Sequence, residues 1–131
     1  MMRYAVLDTN VASLSVKGEM PASMTARLLG AVPVITFVTV GELTKWTALR
    51  DWGQRRRGAL DLWISQRVVL DCDQAVARRW GLLSAAVRRG RPRPDNDTWI
   101  AACCLVEGLP LATQNVKDFA DYADYEGLVL L

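Results

Sequence analysis

The sequence predicts an α/β domain with a mainly parallel central sheet of four to five strands and helices on both faces. Three observations predict it. Short runs rich in β-branched residues, "RYAVLD" (3–8), "VPVITF" (32–37), "RVVLD" (67–71) and "LPLAT" (109–113), are too short for helices and too apolar for loops. Between them lie segments whose apolar residues recur every three or four positions. Strands that alternate with helices need crossover connections, and crossovers produce parallel sheets covered on both faces. The 131 residues, 51% of them hydrophobic, read as a single domain spanning 1–131, without linker, repeat or low-complexity segment.

Each element has its own signal. The strand at 3–8 ends in an acid, and "TNVASLSV" starts a helix with Thr9 or Asn10 near its head. "PASMTARLLG" (21–30) opens on proline and closes on glycine, as a short helix does. After the strand at 32–37, Val40, Leu43 and Trp46 take up helical spacing through "TVGELTKWTALRDW". Gly53 interrupts, and "QRRRGALDLWISQ" resumes with Leu60, Trp63 and Ile64 on one face. Beyond the strand at 67–71, "DQAVARRWGLLSAAVRRG" carries an apolar stripe of Val76, Trp80, Leu83 and Val87. Gly90, Pro92 and Pro94 make an extended loop, and "DNDTWIAACCLVEG" forms a helix closed by Gly108. The strand at 109–113 follows, with "LVLL" (128–131) a candidate fifth.

Composition narrows the chemistry. The chain has no histidine, which removes histidine general bases, Ser-His-Asp triads and nearly all zinc or copper sites. Cys72, Cys103 and Cys104 form no CxxC pair and read as reduced core thiols. No apolar run approaches the ~20 residues that span a bilayer. Asp8 arrives too early for the apolar core of a secretory signal, so a cytoplasmic protein without membrane contact is the expectation. The net charge of +2 is unevenly spread: residues 50–93 hold eleven Arg against four acids, and residues 94–131 one Lys against seven acids. That pattern suits solvated helix faces. It also suits a basic rim beside an acidic pocket, which would bring a polyanion to a cation.

In sheets of this class functional groups gather beyond the carboxyl ends of the strands. Asp8 ends the first strand, Glu42 follows the second, Asp97 begins the helix leading into the fourth, and Asn115 and Asp118 follow the fourth. Taken singly, Asp8, Asp95 and Asp97 can each be helix N-caps. Glu42, between Val40, Leu43 and Trp46, borders an apolar stripe where an acid without a partner is costly. Taken together, crowded carboxylates repel unless a cation neutralises them, and oxygen-only ligands favour Mg²⁺ or Mn²⁺. Such a site supports phosphodiester hydrolysis by a metal-activated water.

Four motifs in order, "AVLDTNV", "TVGEL" around Glu42, "NDTWIAA" at 96–102 and "LATQNVKDF" at 111–119, resemble the PIN-domain ribonucleases. Length and the near-terminal first motif are similar to the VapC-type toxins of toxin–antitoxin pairs. The resemblance covers the whole chain and implies a three-layer α/β/α fold and Mg²⁺- or Mn²⁺-dependent endoribonuclease activity, often on tRNA or rRNA loops. It also implies a homodimer inhibited by a cognate antitoxin. By this resemblance Asp8, Glu42 and Asp97 hold the metal, and Asn115 stands at the fourth acidic position with Asp118 three residues on. Asn115 is uncharged, which leaves a second metal position open. Thr9 and Asn10 are expected to orient the Asp8 carboxylate and Thr113 to do the same beside Asn115, Asp95 to support the helix start, and Arg91 and Arg93 to receive RNA.

Other classes remain. "LDTNV" is similar to the opening motif of haloacid dehalogenase-type phosphatases, but Asn10 stands where their second aspartate belongs. A receiver domain would need an acidic pair at the first strand, with Asp71 or Asp73 as phosphoacceptor. A PIN-fold binding module without catalysis is the third, kept open by Asn115.

Overall fold

The central sheet of the computed structural model, which describes residues 2–86 and 90–131, comprises β1 (Arg3–Leu7), β2 (Ala31–Thr36), β3 (Val68–Leu70) and β4 (Leu111–Ala112). All are parallel, in the order β3-β2-β1-β4. The described helices are α1 (Thr9–Lys17), α2 (Ala22–Arg27), α3 (Phe37–Leu49), α4 (Gln54–Ser65), α5 (Gln74–Ala85), α6 (Asp95–Glu107) and α7 (Val116–Glu126).

The two-residue period of the strands divides the core into layers. Val6, Val34 and Leu111 point to one face and pack with Val76 and Leu83 of α5, Ile100 of α6, and Phe119 and Tyr122 of α7. Their neighbours Leu7, Ile35 and Ala112 point to the other face and meet Val11, Met24, Leu43 and Leu60 of α1 to α4. Each of the Val, Leu, Ile, Met and Phe side chains among them contributes about 1.5–3 kcal/mol by burial. A slip of one residue in any strand would exchange the faces, so the pattern fixes the register. Pro33 is tolerated in β2 because it precedes the stretch flanked by β3, which begins at the Val34–Val68 pair.

The chain moves outward from β1 to β2 and β3, then returns to place β4 on the free side of β1. The reversal lies between β1 and β4. There the Asp8 amide donates to the Ala112 carbonyl at 3.1 Å, bringing the ends of the two strands level. Residues immediately beyond those ends therefore face each other across a crevice.

Several expectations are corrected. The candidate fifth strand is reduced to a single parallel bridge, Leu111 with Leu130. Helix α7 is absent from the sequence reading. Cys103 and Cys104 are buried, but Cys72 is exposed and is no core thiol. Val87, the last member of the predicted α5 stripe, lies outside the described residues. No helix among the described residues is long and apolar enough to cross a membrane.

Arg93 differs most from expectation. It is 8% exposed, donates to the Leu83 carbonyl at 3.1 Å, pairs with Glu126 at 2.5 Å and lies over the Tyr122 ring at 4.6 Å. It ties the loop before α6 to α5 and α7, so it is engaged in the structure rather than presented to RNA. Arg93→Ala is expected to cost about 3 kcal/mol, because a buried ion pair and its packing go together. Urea unfolding at unchanged m-value measures this; a loss below about 1 kcal/mol would make Arg93 equivalent to a surface charge.

Candidate active site

Asp8 leaves β1 in extended conformation and caps α1, its Oδ1 accepting from the Val11 amide at 2.8 Å. Its Oδ2 accepts from the Thr113 hydroxyl at 2.5 Å, and Thr113 in turn accepts from the Asn115 amide at 2.9 Å. This relay joins the end of β1 to the turn after β4. Asp8 is only 3% exposed. Burial pushes its carboxyl above the usual range, and Glu42 and Asp118 add repulsion, against the lowering effect of the Thr113 and Val11 bonds.

Glu42 sits half-buried in the second turn of α3. The Thr9 hydroxyl donates to its Oε1 at 2.7 Å and lies 3.0 Å from the Thr39 hydroxyl. A hydroxyl has one proton, so Thr39 donates to Thr9 and Thr9 to Glu42. Thr9 was expected to orient Asp8. It orients Glu42 instead, and Thr113 holds Asp8.

Asp97 is the third residue of α6, whose first turn is tightly fixed. The Thr98 hydroxyl donates to the Pro94 carbonyl at 2.6 Å and so accepts from the Tyr122 hydroxyl at 2.7 Å. Trp99 stacks on Trp80 at 4.7 Å and meets Phe37 edge-on at 5.6 Å. Desolvation, then repulsion by Asp118, Glu42 and Asp8, raises the Asp97 carboxyl to about 6. The favourable field of the helix N-terminus does not offset this.

Asn115 occupies the cap position of α7 without using its side chain as a cap, and Asp118 lies in that helix's first turn. Asp8, Glu42, Asp97, Asn115 and Asp118 line one pocket of about 80 Å³, with Thr9, Asn10, Trp46, Ile100 and Phe119. The fold thus brings four carboxylates and an amide together from the ends of β1 and β4 and the heads of α3, α6 and α7. Sequence reasoning missed Trp46, Ile100 and Phe119 at this place. Trp46 carried a signal only as part of the α3 stripe, which reads equally as core.

Asp95 does not reach the pocket. Pro94 holds the cap position of α6 and Asp95 is exposed, its carbonyl accepting from the Trp80 indole at 3.4 Å. Neither Asp95 nor Asp97 is the cap of α6. Arg91 is exposed and lines a neighbouring groove with Lys117 and Asp118.

A hard cation is consistent with this donor set, which is all oxygen and unfavourable without neutralisation. Among the described residues no three acidic or thiol groups are close enough to form a ready-made cage.

A family model for the PIN domain matches residues 5–125. The tRNA(fMet)-specific endonuclease VapC of Shigella flexneri is 32% identical over 122 residues, 91% of each chain. VapBC2 from Rickettsia felis, solved bound to a promoter DNA fragment, superposes with a TM-score of 0.81 at 21% identity, over 98% of this chain and 97% of that one, a likeness of fold. VapBC-5 from Mycobacterium tuberculosis, a member of the VapBC family of toxin–antitoxin systems, gives 0.71 at 27% identity over 97% of each chain.

The pKa of Asp97 sets a sign for stability. Its folded value of about 6 exceeds the ordinary 3.8, so the stability linked to its proton is present below pH ~4 and lost as pH rises through ~6. Asn cannot ionise and escapes that loss. In protein freed of divalent ions, Asp97→Asn is expected to gain about 1–2 kcal/mol at neutral pH, allowing for solvent screening, and little at pH ~4. Thermal melts at both pH values with chelator check this; a loss at neutral pH would return Asp97 to a helix-start role.

Proposed function

The chain belongs to the PIN-domain family, and from that premise we propose that it is a Mg²⁺- or Mn²⁺-dependent endoribonuclease, the toxin of a toxin–antitoxin pair. The observation that carries this reading is the convergence of Asp8, Glu42, Asp97 and Asp118 on one small pocket beside Asn115. The endonuclease name of the Shigella flexneri relative supports an RNA substrate, and VapBC-5 supports an antitoxin partner. Single-stranded loops of tRNA or rRNA are the substrates proposed, because their base edges are open to reading. A homodimer in the cytoplasm completes the reading, on the family's pattern.

Asp8, Glu42 and Asp97 would hold the cation, in part through its own waters, since no three acids among the described residues stand close enough to cage it. When bound, it offsets their charge, activates a water for attack on phosphorus and stabilises the leaving oxygen. The chain's own groups set the geometry. Asp8 cannot turn, because one oxygen is held by the Val11 amide and the other by Thr113. Glu42 is aimed by Thr9. Asn115, its side chain free of capping, can orient a water or meet a phosphate oxygen. Asp118 stands at the exposed side of the pocket and adds to its negative charge.

The family match sets aside the phosphatase and receiver readings. The inactive binding module stays as a second reading because Asn115 carries no charge. Cleavage of end-labelled total tRNA by purified protein, with Mg²⁺, Mn²⁺ or chelator, decides between them. Discrete products are expected with metal only, and none from Asp97→Asn. Thr113→Val, which removes the hydroxyl orienting Asp8, is expected to slow cleavage by roughly 10- to 100-fold. RNA binding indifferent to chelator, with no cleavage under any metal, would support the binding module.

A further inference from the structure

A second groove, of about 370 Å³, adjoins the acidic pocket and shares Asn10, Trp46 and Asn115 with it. Asn10 and Lys17 reach it from α1, seven residues apart and so on one face of that helix. Trp46 and Arg50 reach it from α3 and its C-cap, with the guanidinium 5.6 Å from the indole centroid. The turn after β4 adds Gln114 and Asn115. The groove has two cations and no acid along its lining. Another groove that adjoins the acidic pocket, sharing Asp118 with it, differs: its Arg91 and Lys117 stand with Asp118 and Asp121, and its Arg93 is held by Glu126. Of the two grooves, the Lys17–Arg50 one therefore offers a polyanion at the acidic pocket the less neutralised positive charge among the described residues.

We propose that this groove is a nucleotide subsite next to the scissile phosphate, where single-stranded RNA stacks a base on the Trp46–Arg50 wall and Lys17 and Arg50 meet the adjoining phosphate. The inference rests on the ribonuclease reading and gives it a direction along the strand. Indole and guanidinium planes both stack nucleobases. Trp46 is well suited because its half-buried ring packs against the core beneath α3 and loses little freedom when a base docks. The side-chain amides of Asn10, Gln114 and Asn115 each offer a donor and an acceptor to a base edge. Because the groove and the acidic pocket share residues, the bound base would fix which phosphodiester lies over the carboxylates. A base paired in a duplex cannot reach the wall, so the subsite selects unpaired RNA.

The test measures binding of a short fluorescein-labelled single-stranded RNA, and of the same RNA annealed to its complement, by protein carrying Asp97→Asn to block cleavage. Trp46→Leu, Lys17→Ala and Arg50→Ala are then compared in that background across a salt series. Lys17 and Arg50 are exposed and leucine keeps an apolar side chain at 46, so circular dichroism should match the parent. Trp46→Leu is expected to weaken single-strand binding roughly 5- to 100-fold with an unchanged salt slope. Lys17→Ala and Arg50→Ala are each expected to reduce that slope by about 0.7. The duplex should bind less tightly than the single strand. If the parent binds and cleaves RNA while all three variants bind within twofold of it, the subsite is overturned and the ribonuclease stands. If the parent neither binds nor cleaves RNA, both fall. Variants that keep RNA binding but lose a partner protein would make the groove a protein-docking surface and likewise overturn the proposal.

Discussion

The structure depends on one buried carboxylate at the seam between β1 and β4. Asp8 is nearly inaccessible, and a charge in that position costs several kcal/mol unless it is satisfied. The chain answers from both sides of the seam, with the Val11 amide at the head of α1 and the Thr113 hydroxyl after β4. The same Thr113 accepts from the Asn115 amide, so the turn into α7 is set by the group that holds Asp8. Among the described residues no positive charge compensates the Asp8 or Asp97 carboxylate. Glu42, Asp97 and Asp118 add to the negative field, and burial with repulsion raises both Asp8 and Asp97. A fold that concentrates carboxylates in this way gives up stability there, as functional sites often do.

The elements around the seam hold that arrangement rigid. The Thr9–Thr39 hydroxyl pair links α1 to α3 and aims Glu42. The Thr98–Tyr122 hydrogen bond links α6 to α7 and fixes the turn that carries Asp97. Arg93 closes the same corner from the loop side through Leu83, Glu126 and Tyr122. Each acid therefore rides on an element that is itself tied to a neighbouring one.

Much of this was legible in the sequence, for physical reasons. Strand runs and helical stripes survive because two-residue and 3.6-residue periods report directly on burial, as the opposite facing of Val6 and Leu7 shows. Asp8, Glu42, Asp97, Asn115 and Asp118 could be named because parallel sheets gather polar groups beyond their carboxyl ends, and the fold does bring these five to one pocket. Helix α7 was not legible. Its residues include four acids, and its fully buried anchors are only Phe119 and Tyr122, one turn apart, so it reads as a polar connection. That omission also misplaced Arg93, which is close to Asp97 in sequence but is bound by α7 in space. Lys17 and Arg50 carried no local signal, because their meeting depends on how α1 and α3 pack.

We propose that the crowded carboxylates take a divalent cation. The most direct test is calorimetric titration of Mn²⁺ from about pH 7.5 to about 5.5, in buffers of different ionisation enthalpy. The expected result is saturable binding that weakens as pH falls through about 6, where Asp97 takes up its proton, with proton release on binding appearing as a buffer-dependent heat. Absence of Mn²⁺ binding, or an affinity flat across that range with no proton release, would contradict it.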